Sequence, residues 1–502
     1  MARHDLGSLS DIPEGLSKGD AGGTAVLLVR EGDEVRALAH ACPHFGLPLS
    51  KGHLEDGIVI CAFHHACFDA KSGRQMEPPG HGDLRRYDLE VVDGRVMVEV
   101  PNGAEPHPAP DYVRQDGDER TFVLVGSGAA SDEAALGLRE RGFTGRIEMI
   151  DRAGEPPYDR TLLSKAVLAD GDTPRDVTLT AREALAARDI ELIEGTVTRV
   201  DAGTVTLEGG ETRAFDGLFL APGGTPRRLK VPGEELAGVH ALRSRSDGAA
   251  LARAAGSAGR AMIVGGGFIG MEGALSLAKR GLEVTVVMPD AVPLAKVLGD
   301  EVGKTVMAEH EEAGVSFVTG RTAKGFGGDE RVSEVMLDDG SALPVDLVVT
   351  AIGVTPATAE IDGLETQDDG GVAVGRDLSV PGMPRVFVGG DCAQVPTPWG
   401  AVRIEHWRVA RQHGALAARN LLGEGADLAG VPFFWTALAR QYRYLGHAEG
   451  WDEVRLDGDP SGPFVARYVK DGRVMALAGA GRDEEIAAAH SAMIREGGPL
   501  PA

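Results

Sequence analysis

Residues 121–131 read Thr121-Phe122-Val123-Leu124-Val125-Gly126-Ser127-Gly128-Ala129-Ala130-Ser131, an apolar, β-rich run that breaks into a turn of small residues. The pattern becomes helical as far as Arg141, and a second strand from Arg146 to Ile150 ends on Asp151. This is the outline of a βαβ dinucleotide-binding unit. Glycines let a pyrophosphate approach the backbone, the helix N-terminus stabilises its charge, and an acid closing the second strand takes the ribose hydroxyls. Ser131 occupies the third glycine position and is small enough for helix and strand to pack.

The device recurs at Arg260 to Val264, followed by Gly265-Gly266-Gly267-Phe268-Ile269-Gly270, a helix through Arg280 and a strand from Val284 to Val287. One such turn is a weak signal, because glycine-rich turns occur without ligands. Two in one chain, each after a strand and before a helix, are strong. The second unit has Met288 where an acid often ends the strand, and Asp290, after Pro289, is the residue left to reach the ribose. No basic residue at 288–290 selects a 2′-phosphate, so NADH and NADPH are not distinguished.

Upstream the chain has a different character. Residues 24–30, 35–40, 57–61 and 94–100 read as short strands broken by Gly and Asp turns, an all-β module of about a hundred residues. It ends in the proline-rich stretch 101–110, which reads as a stiff linker. Inside the module lie Cys42-Pro43-His44 and Cys61-Ala62-Phe63-His64, with sixteen residues between His44 and Cys61. A 2Fe–2S cluster with two thiolates on one iron and two imidazoles on the other needs one of each from each loop. A structural zinc site is the alternative, but zinc fingers usually keep their cysteines in one element and their histidines in another. Gly46 and Gly73 sit where tight turns would hold the loops together.

Composition sets outer bounds. Of 502 residues, 43% are hydrophobic and 25% charged, ordinary for a soluble globular protein, and 70 are glycine. The net charge of −25 argues against nucleic acid or anionic membrane as partner. The N-terminus opens no apolar run, and the longest apolar stretch, 261–278, contains Glu272 and several glycines, so neither a signal peptide nor a membrane span is expected. Beyond the proposed ligands only Cys67 and Cys392 remain, which points to a reducing compartment and a cytoplasmic location.

The N-terminal loops, with His44-Phe45-Gly46 and His64-His65-Ala66-Cys67-Phe68-Asp69 around them, resemble Rieske iron–sulfur domains. From Arg120 onward the chain resembles the FAD-dependent, pyridine-nucleotide ferredoxin reductases. Pro157-Tyr158-Asp159-Arg160-Thr161-Leu162-Leu163-Ser164-Lys165 is similar to the family's segment beside the flavin. Residues 220–227 and 349–356 resemble its two crossovers, and 385–391 the segment whose aspartate holds the flavin's ribityl chain. Residues 64–68, 431–436, 443–446 and 449–450 resemble the apoptosis-inducing-factor-like subfamily that carries its own Rieske domain. His65, Pro222 and Ser131 depart from the family's glycine, threonine and glycine.

The resemblance implies an all-β Rieske domain (1–101), a linker (102–118), an α/β reductase with a discontinuous FAD domain (119–237 and 357–426) and an NAD(P) domain (238–356), and a small α+β C-terminal domain (427–502). Its cofactors are FAD, NAD(P)H and the 2Fe–2S cluster, held by Cys42, His44, Cys61 and His64. It carries catalytic roles to Lys165 and Glu272. Cofactor contacts fall on Gly126, Gly128, Ala129, Ala130, Asp151, Arg160, Lys165, Val197, Arg243, Asp391 and Trp407, and on Gly265, Gly267, Phe268, Ile269, Gly270, Asp290 and Gly353. Trp435 joins Trp407 as an aromatic wall of the flavin site, with ordinary core packing as the alternative for both. The resemblance also speaks to potential. High-potential Rieske domains carry a bridged cysteine pair where this chain has Leu47 and Phe63, and hydroxyls where it has Ala66 and Phe68, so a low position within the range of roughly −150 to +300 mV is expected.

The expected function is transfer of electrons from NAD(P)H through FAD to the cluster and on to an oxygenase or another redox protein. The flavin is required because a nicotinamide gives two electrons at once and a cluster takes one. A quinone-type small-molecule reductase and a redox-sensing signalling flavoprotein are the alternatives, and homodimerisation is left open.

Overall fold

Both nucleotide-binding patterns fold into parallel sheets in the computed structural model, which describes residues 2–80, 82–101, 103, 105–107, 117–170 and 175–502. The first sheet runs Ile190–Glu194, Arg146–Asp151, Thr121–Val125, Gly217–Leu220, Val386–Val388, all parallel. The second runs Val239–Ala241, Leu347–Thr350, Arg260–Val264, Glu283–Met288, Val315–Thr319, again all parallel. Their central strands are apolar because both faces are covered: in the second unit helices pack on one face and the small antiparallel sheet Ala323–Gly327, Glu334–Leu337, Ala342–Pro344 packs on the other. The helices Ala129–Glu140 and Phe268–Lys279 follow the two glycine turns, as the sequence pattern requires.

Gly126 (φ +92°) and Gly265 (φ +119°) turn each chain sharply, and a Cβ on either would lie 2.4 Å from a carbonyl oxygen of the neighbouring crossover. Gly270 lets its helix close on the strand, since a Cβ there would meet the Gly265 oxygen at 2.3 Å. Ser131 takes this place in the first unit, fully buried, and its Oγ donates to the Val125 carbonyl (3.5 Å). The glycine was replaceable because a serine can bond the strand it packs on.

The N-terminal domain is all antiparallel. Six strands lie in the order Ala2–Ser8, Arg95–Val100, Arg86–Val92, Glu34–Ala39, Thr24–Glu31, Gly15–Ala21, and a four-stranded meander follows from His53–Glu55 to Gln75–Glu77. The two Cys/His loops are built alike. In one, the Cys42 amide donates to the Leu47 carbonyl and the Gly46 amide to the Cys42 carbonyl; in the other, Cys61 donates to Ala66 and His65 to Cys61. His65 therefore holds the position of Gly46, and both have positive φ, +56° and +70°. The proline-rich stretch 102–118 lies mostly outside the described residues.

What rewards a histidine in a left-handed turn is on another domain. The C-terminal sheet runs Phe433–Ala437, Gln441–Gly446, Arg473–Ala480, Phe464–Lys470, Glu453–Gly458, with the helix Asp483–Glu496 packed on it. The His65 ring stacks on Phe433 at 3.8 Å and 10°, and its Nδ1 lies 2.8 Å from His490 Nδ1, both histidines fully buried. The helix Trp407–Leu421 tightens the same junction. Arg408, with no exposed surface, donates to the carbonyls of Pro78 (2.9 Å), His65 (3.0 Å) and Val431 (3.0 Å). Arg411 donates to the Gly80 carbonyl (3.2 Å) and pairs with Glu133, while Gln412 donates to Glu77 (2.7 Å).

His65→Gly tests this junction. It relieves about 1–2 kcal/mol of left-handed strain, but removes a buried stack and leaves His490 without its partner, a loss of about 1–3 kcal/mol for that group alone. Hydrogen–deuterium exchange should rise in both 61–68 and 483–496. Unchanged exchange in both segments would mean the His65–His490 contact holds nothing.

Candidate functional site

A cavity of about 1310 Å³ opens at the first glycine turn and runs between the two nucleotide domains to the C-terminal sheet. Drug-sized pockets hold about 300–1,000 Å³, so this one suits an extended dinucleotide. Gly126, Gly128, Ala129 and Ala130 line one end, with Asp151 beside them and Val197 across from them. A Cβ on Gly128 would meet nothing within 4 Å, so the backbone here is open to a ligand, at the uncapped N-terminus of a helix. Ser127 Oγ and Trp407 Nε1 border the cavity as buried polar atoms with no hydrogen-bond partner among the described residues. Arg243 donates to Asp391 (2.6 Å), and Arg160, stacked over Tyr158, donates to the Arg243 carbonyl (2.9 Å). This donor set suits FAD: amides and arginines for the diphosphate, Asp151 and Asp391 for hydroxyls.

Further in, Lys165 Nζ lies 2.8 Å from Glu272 Oε1 and donates to the Thr161 carbonyl (2.7 Å). Glu272 also accepts from Ser164 Oγ (2.5 Å) and Thr436 Oγ1 (2.6 Å), so its carboxylate is fixed by groups from two distant parts of the chain. Burial holds the His406 imidazole down at about 3, with the Lys165 charge adding to the effect. His406 Nδ1 accepts the Arg408 amide (3.2 Å), consistent with a neutral ring. Phe268 and Ile269 line the same region. Gly265, Gly267, Gly270, Asp290 and Gly353 do not line this cavity. The first three belong to the separate turn and helix start of the second unit, where Gly267 is as open as Gly128, while Asp290 follows the strand Glu283–Met288 and Gly353 the strand Leu347–Thr350.

Across the Trp407–Trp435 wall stand the two Cys/His loops. The Cys42 and Cys61 thiols face each other closely enough for each to act on the other, which raises the Cys42 thiol and lowers Cys61. The backbone amide of His44 is aimed at Cys42, and those of Phe63 and His64 at Cys61. His44 Nδ1 and His64 Nδ1 face each other at 3.1 Å. Burial pushes the His64 imidazole down to about 3, with the Arg443 charge adding to the effect, so it is neutral and able to ligate. Among the described residues no three such groups converge on one point. They meet in pairs, thiol with thiol and imidazole with imidazole, which suits two unlike irons better than one zinc.

Sequence reasoning did not single out several of these residues. Arg443, 3% exposed, is the register partner of Trp435 across the C-terminal sheet, and its charge acts on Cys61 and His64. Arg408, Arg411 and His406 were equally invisible, because each works through contacts distant in sequence. The two remaining thiols are inert: burial pushes Cys67 up to about 12 and Cys392 up to about 11.

Residues 120–414 match the family model for pyridine nucleotide-disulphide oxidoreductases, and residues 3–88 match that for Rieske [2Fe-2S] domains. The chain is 33% identical over 478 residues to apoptosis-inducing factor 3 of Homo sapiens, covering 90% of this chain and 77% of that protein. It is 32% identical over 381 residues to the biphenyl dioxygenase system ferredoxin–NAD(+) reductase component of Paraburkholderia xenovorans, covering 74% and 92%. The crystal structure of the covalent putidaredoxin reductase–putidaredoxin complex matches with a TM-score of 0.71 at 30% identity, over 77% of this chain and 95% of that one. Together with the cavity and the paired ligands, these matches mean that the chain belongs to the pyridine nucleotide-disulphide oxidoreductase family, as an NAD(P)H-dependent flavoenzyme of the ferredoxin-reductase type with an N-terminal Rieske 2Fe–2S domain.

Proposed function

We propose that this enzyme passes electrons from NAD(P)H through FAD to its own Rieske cluster, and from there singly to an external redox protein or oxygenase component. One observation carries the reading: Trp435 and Trp407 border the flavin cavity on one side and touch the histidine pair on the other. Trp435 lies 4.5 Å from the His64 ring and 5.5 Å from His44, and Trp407 stacks on His44 at 5.8 Å. When bound, FAD supplies the conversion of a hydride into single electrons, and the cluster takes them one at a time. Relatives such as the biphenyl dioxygenase component are reductases for ferredoxins, and here an iron–sulfur domain occupies the same chain.

The chain's own residues have distinct tasks in this reading. Glu272 holds Lys165 so that its charge faces the cavity, where it favours negative charge developing at the reactive edge. Ser164 and Thr436 keep that carboxylate from turning away. Arg243 and Asp391 grip the far part of the cofactor. The two tryptophans exclude water between cavity and histidines. No helix among the described residues is long and apolar enough to cross a membrane.

Removing one pre-oriented electrostatic group costs about a hundred-fold or more in rate. Lys165→Ala and Glu272→Ala should therefore slow flavin reduction by NAD(P)H about a hundred-fold while retaining bound FAD, and Asp391→Ala should lose FAD first. Stopped-flow absorbance and flavin content report both; a Lys165→Ala enzyme reduced at the wild-type rate removes Lys165 from the reactive edge. His64→Ala should leave flavin reduction intact and abolish one-electron transfer to a protein acceptor. Full acceptor reduction by that variant would take the cluster off the path.

A further inference from the structure

The Rieske domain is clamped, and of its two proposed histidine ligands His64 is buried while His44 is partly exposed. Arg408, Arg411, Gln412 and His490 hold it from one side, and Arg495 pairs with Glu55 at its rim. His64 is 8% exposed and lies against Trp435. One ring leads outward from this site. Phe45, 54% exposed, is the most exposed of the large apolar side chains among the described residues. A single exposed aromatic is ordinary, but this one lies 3.8 Å from the His44 ring and 5.5 Å from that of His64. It touches both proposed histidine ligands and faces water.

We propose that Phe45 is the electron exit, the contact on which a one-electron carrier protein with a basic face docks while the Rieske domain stays clamped. The proposal rests on in-cis transfer and adds where the electron leaves. The step is balanced without any proton or bond change: the reduced cluster loses one electron and the oxidised carrier gains it. The carrier is basic because the chain's net charge of −25 attracts such a partner over long range. An exposed phenyl ring gives that encounter its short-range anchor, in the way aromatic side chains dominate small interfaces. A domain that swings out to meet its acceptor is the competing arrangement, and the buried bonds of Arg408 oppose it.

The test uses the full-length, cofactor-loaded protein with ferricytochrome c as the basic one-electron probe. The protein is first reduced with dithionite, which bypasses hydride transfer from NAD(P)H. Excess dithionite, itself a reductant of cytochrome c, is removed by desalting, and oxidation of the cluster is followed by EPR beside the haem absorbance. Phe45→Ala should lower the second-order rate constant for cytochrome c reduction about ten-fold, the loss expected for an aromatic anchor, with cluster content and EPR signal unchanged. Phe45→Trp, which keeps an aromatic ring, should stay near wild type and serves if the alanine variant loses its cluster. Val92→Ala, an exposed apolar position at the end of the strand Arg86–Val92, should change nothing. Glu55→Cys with Arg495→Cys, bridged by a short bis-maleimide, should still reduce cytochrome c at the full rate. Wild-type kinetics in a cluster-loaded Phe45→Ala, a ten-fold loss in Phe45→Trp, or loss of cytochrome c reduction on bridging would each overturn the proposal. A separate experiment with NADH and NADPH in turn on the unaltered protein bears on in-cis transfer: a cluster that neither nucleotide reduces contradicts that reading while leaving the dithionite result standing.

Discussion

The guanidinium of Arg408 is the fixed point of this molecule. It is wholly buried, and removing such a charge from water costs several kcal/mol unless its donors are met. They are met by carbonyls on either side of the junction, with Glu77 at 3.7 Å as counter-charge. Breaking the junction would strand the charge, so the Rieske domain has one seat. The same helical turn places Trp407 against the cavity and His44, and the next places Arg411 between Gly80 and Glu133. The spacing between flavin site and histidines follows from that turn. A reductase and an iron–sulfur domain are held in one geometry here.

Features written in contiguous residues were legible. The strand–turn–helix patterns at 121–141 and 260–280 became the two parallel sheets and their first helices, because glycine at those turns answers a local need for close approach. The interleaved Cys/His order was equally readable, and the pairing of like with like accounts for it. His65 was visible as a departure from glycine, but its reason was not: the partner, His490, is 425 residues away. Arg443 was visible only within a segment resembling the subfamily and Arg408 not at all, since an arginine in a strand or helix looks the same in sequence whether buried or exposed. Trp407 and Trp435 were balanced between core packing and a flavin wall; both pack against the core and both border the cavity.

Two influences oppose each other at the cluster site. Ala66 and Phe68 offer no side-chain hydroxyl to a sulfur, which lowers the stability of a reduced cluster. Arg443, buried and acting on Cys61 and His64, stabilises added negative charge, and the amides of His44, Phe63 and His64 do so as well. The sequence reveals only the first influence, because Arg443 comes from a strand of the C-terminal domain and the amides act through the backbone geometry of the loops. That domain therefore shapes both sides of the tryptophan wall, supplying Thr436 to Glu272 and Arg443 to the cluster loops.

The central claim is that flavin and cluster exchange electrons within one molecule. Rapid mixing with NAD(P)H, freeze-quenched at intervals and read by EPR, measures how fast the reduced cluster forms after the flavin is reduced. Within one clamped chain that rate is first order and the same at low and high protein concentration. A rate that rises in proportion to protein concentration, or a cluster that stays oxidised while the flavin is fully reduced, would contradict the account.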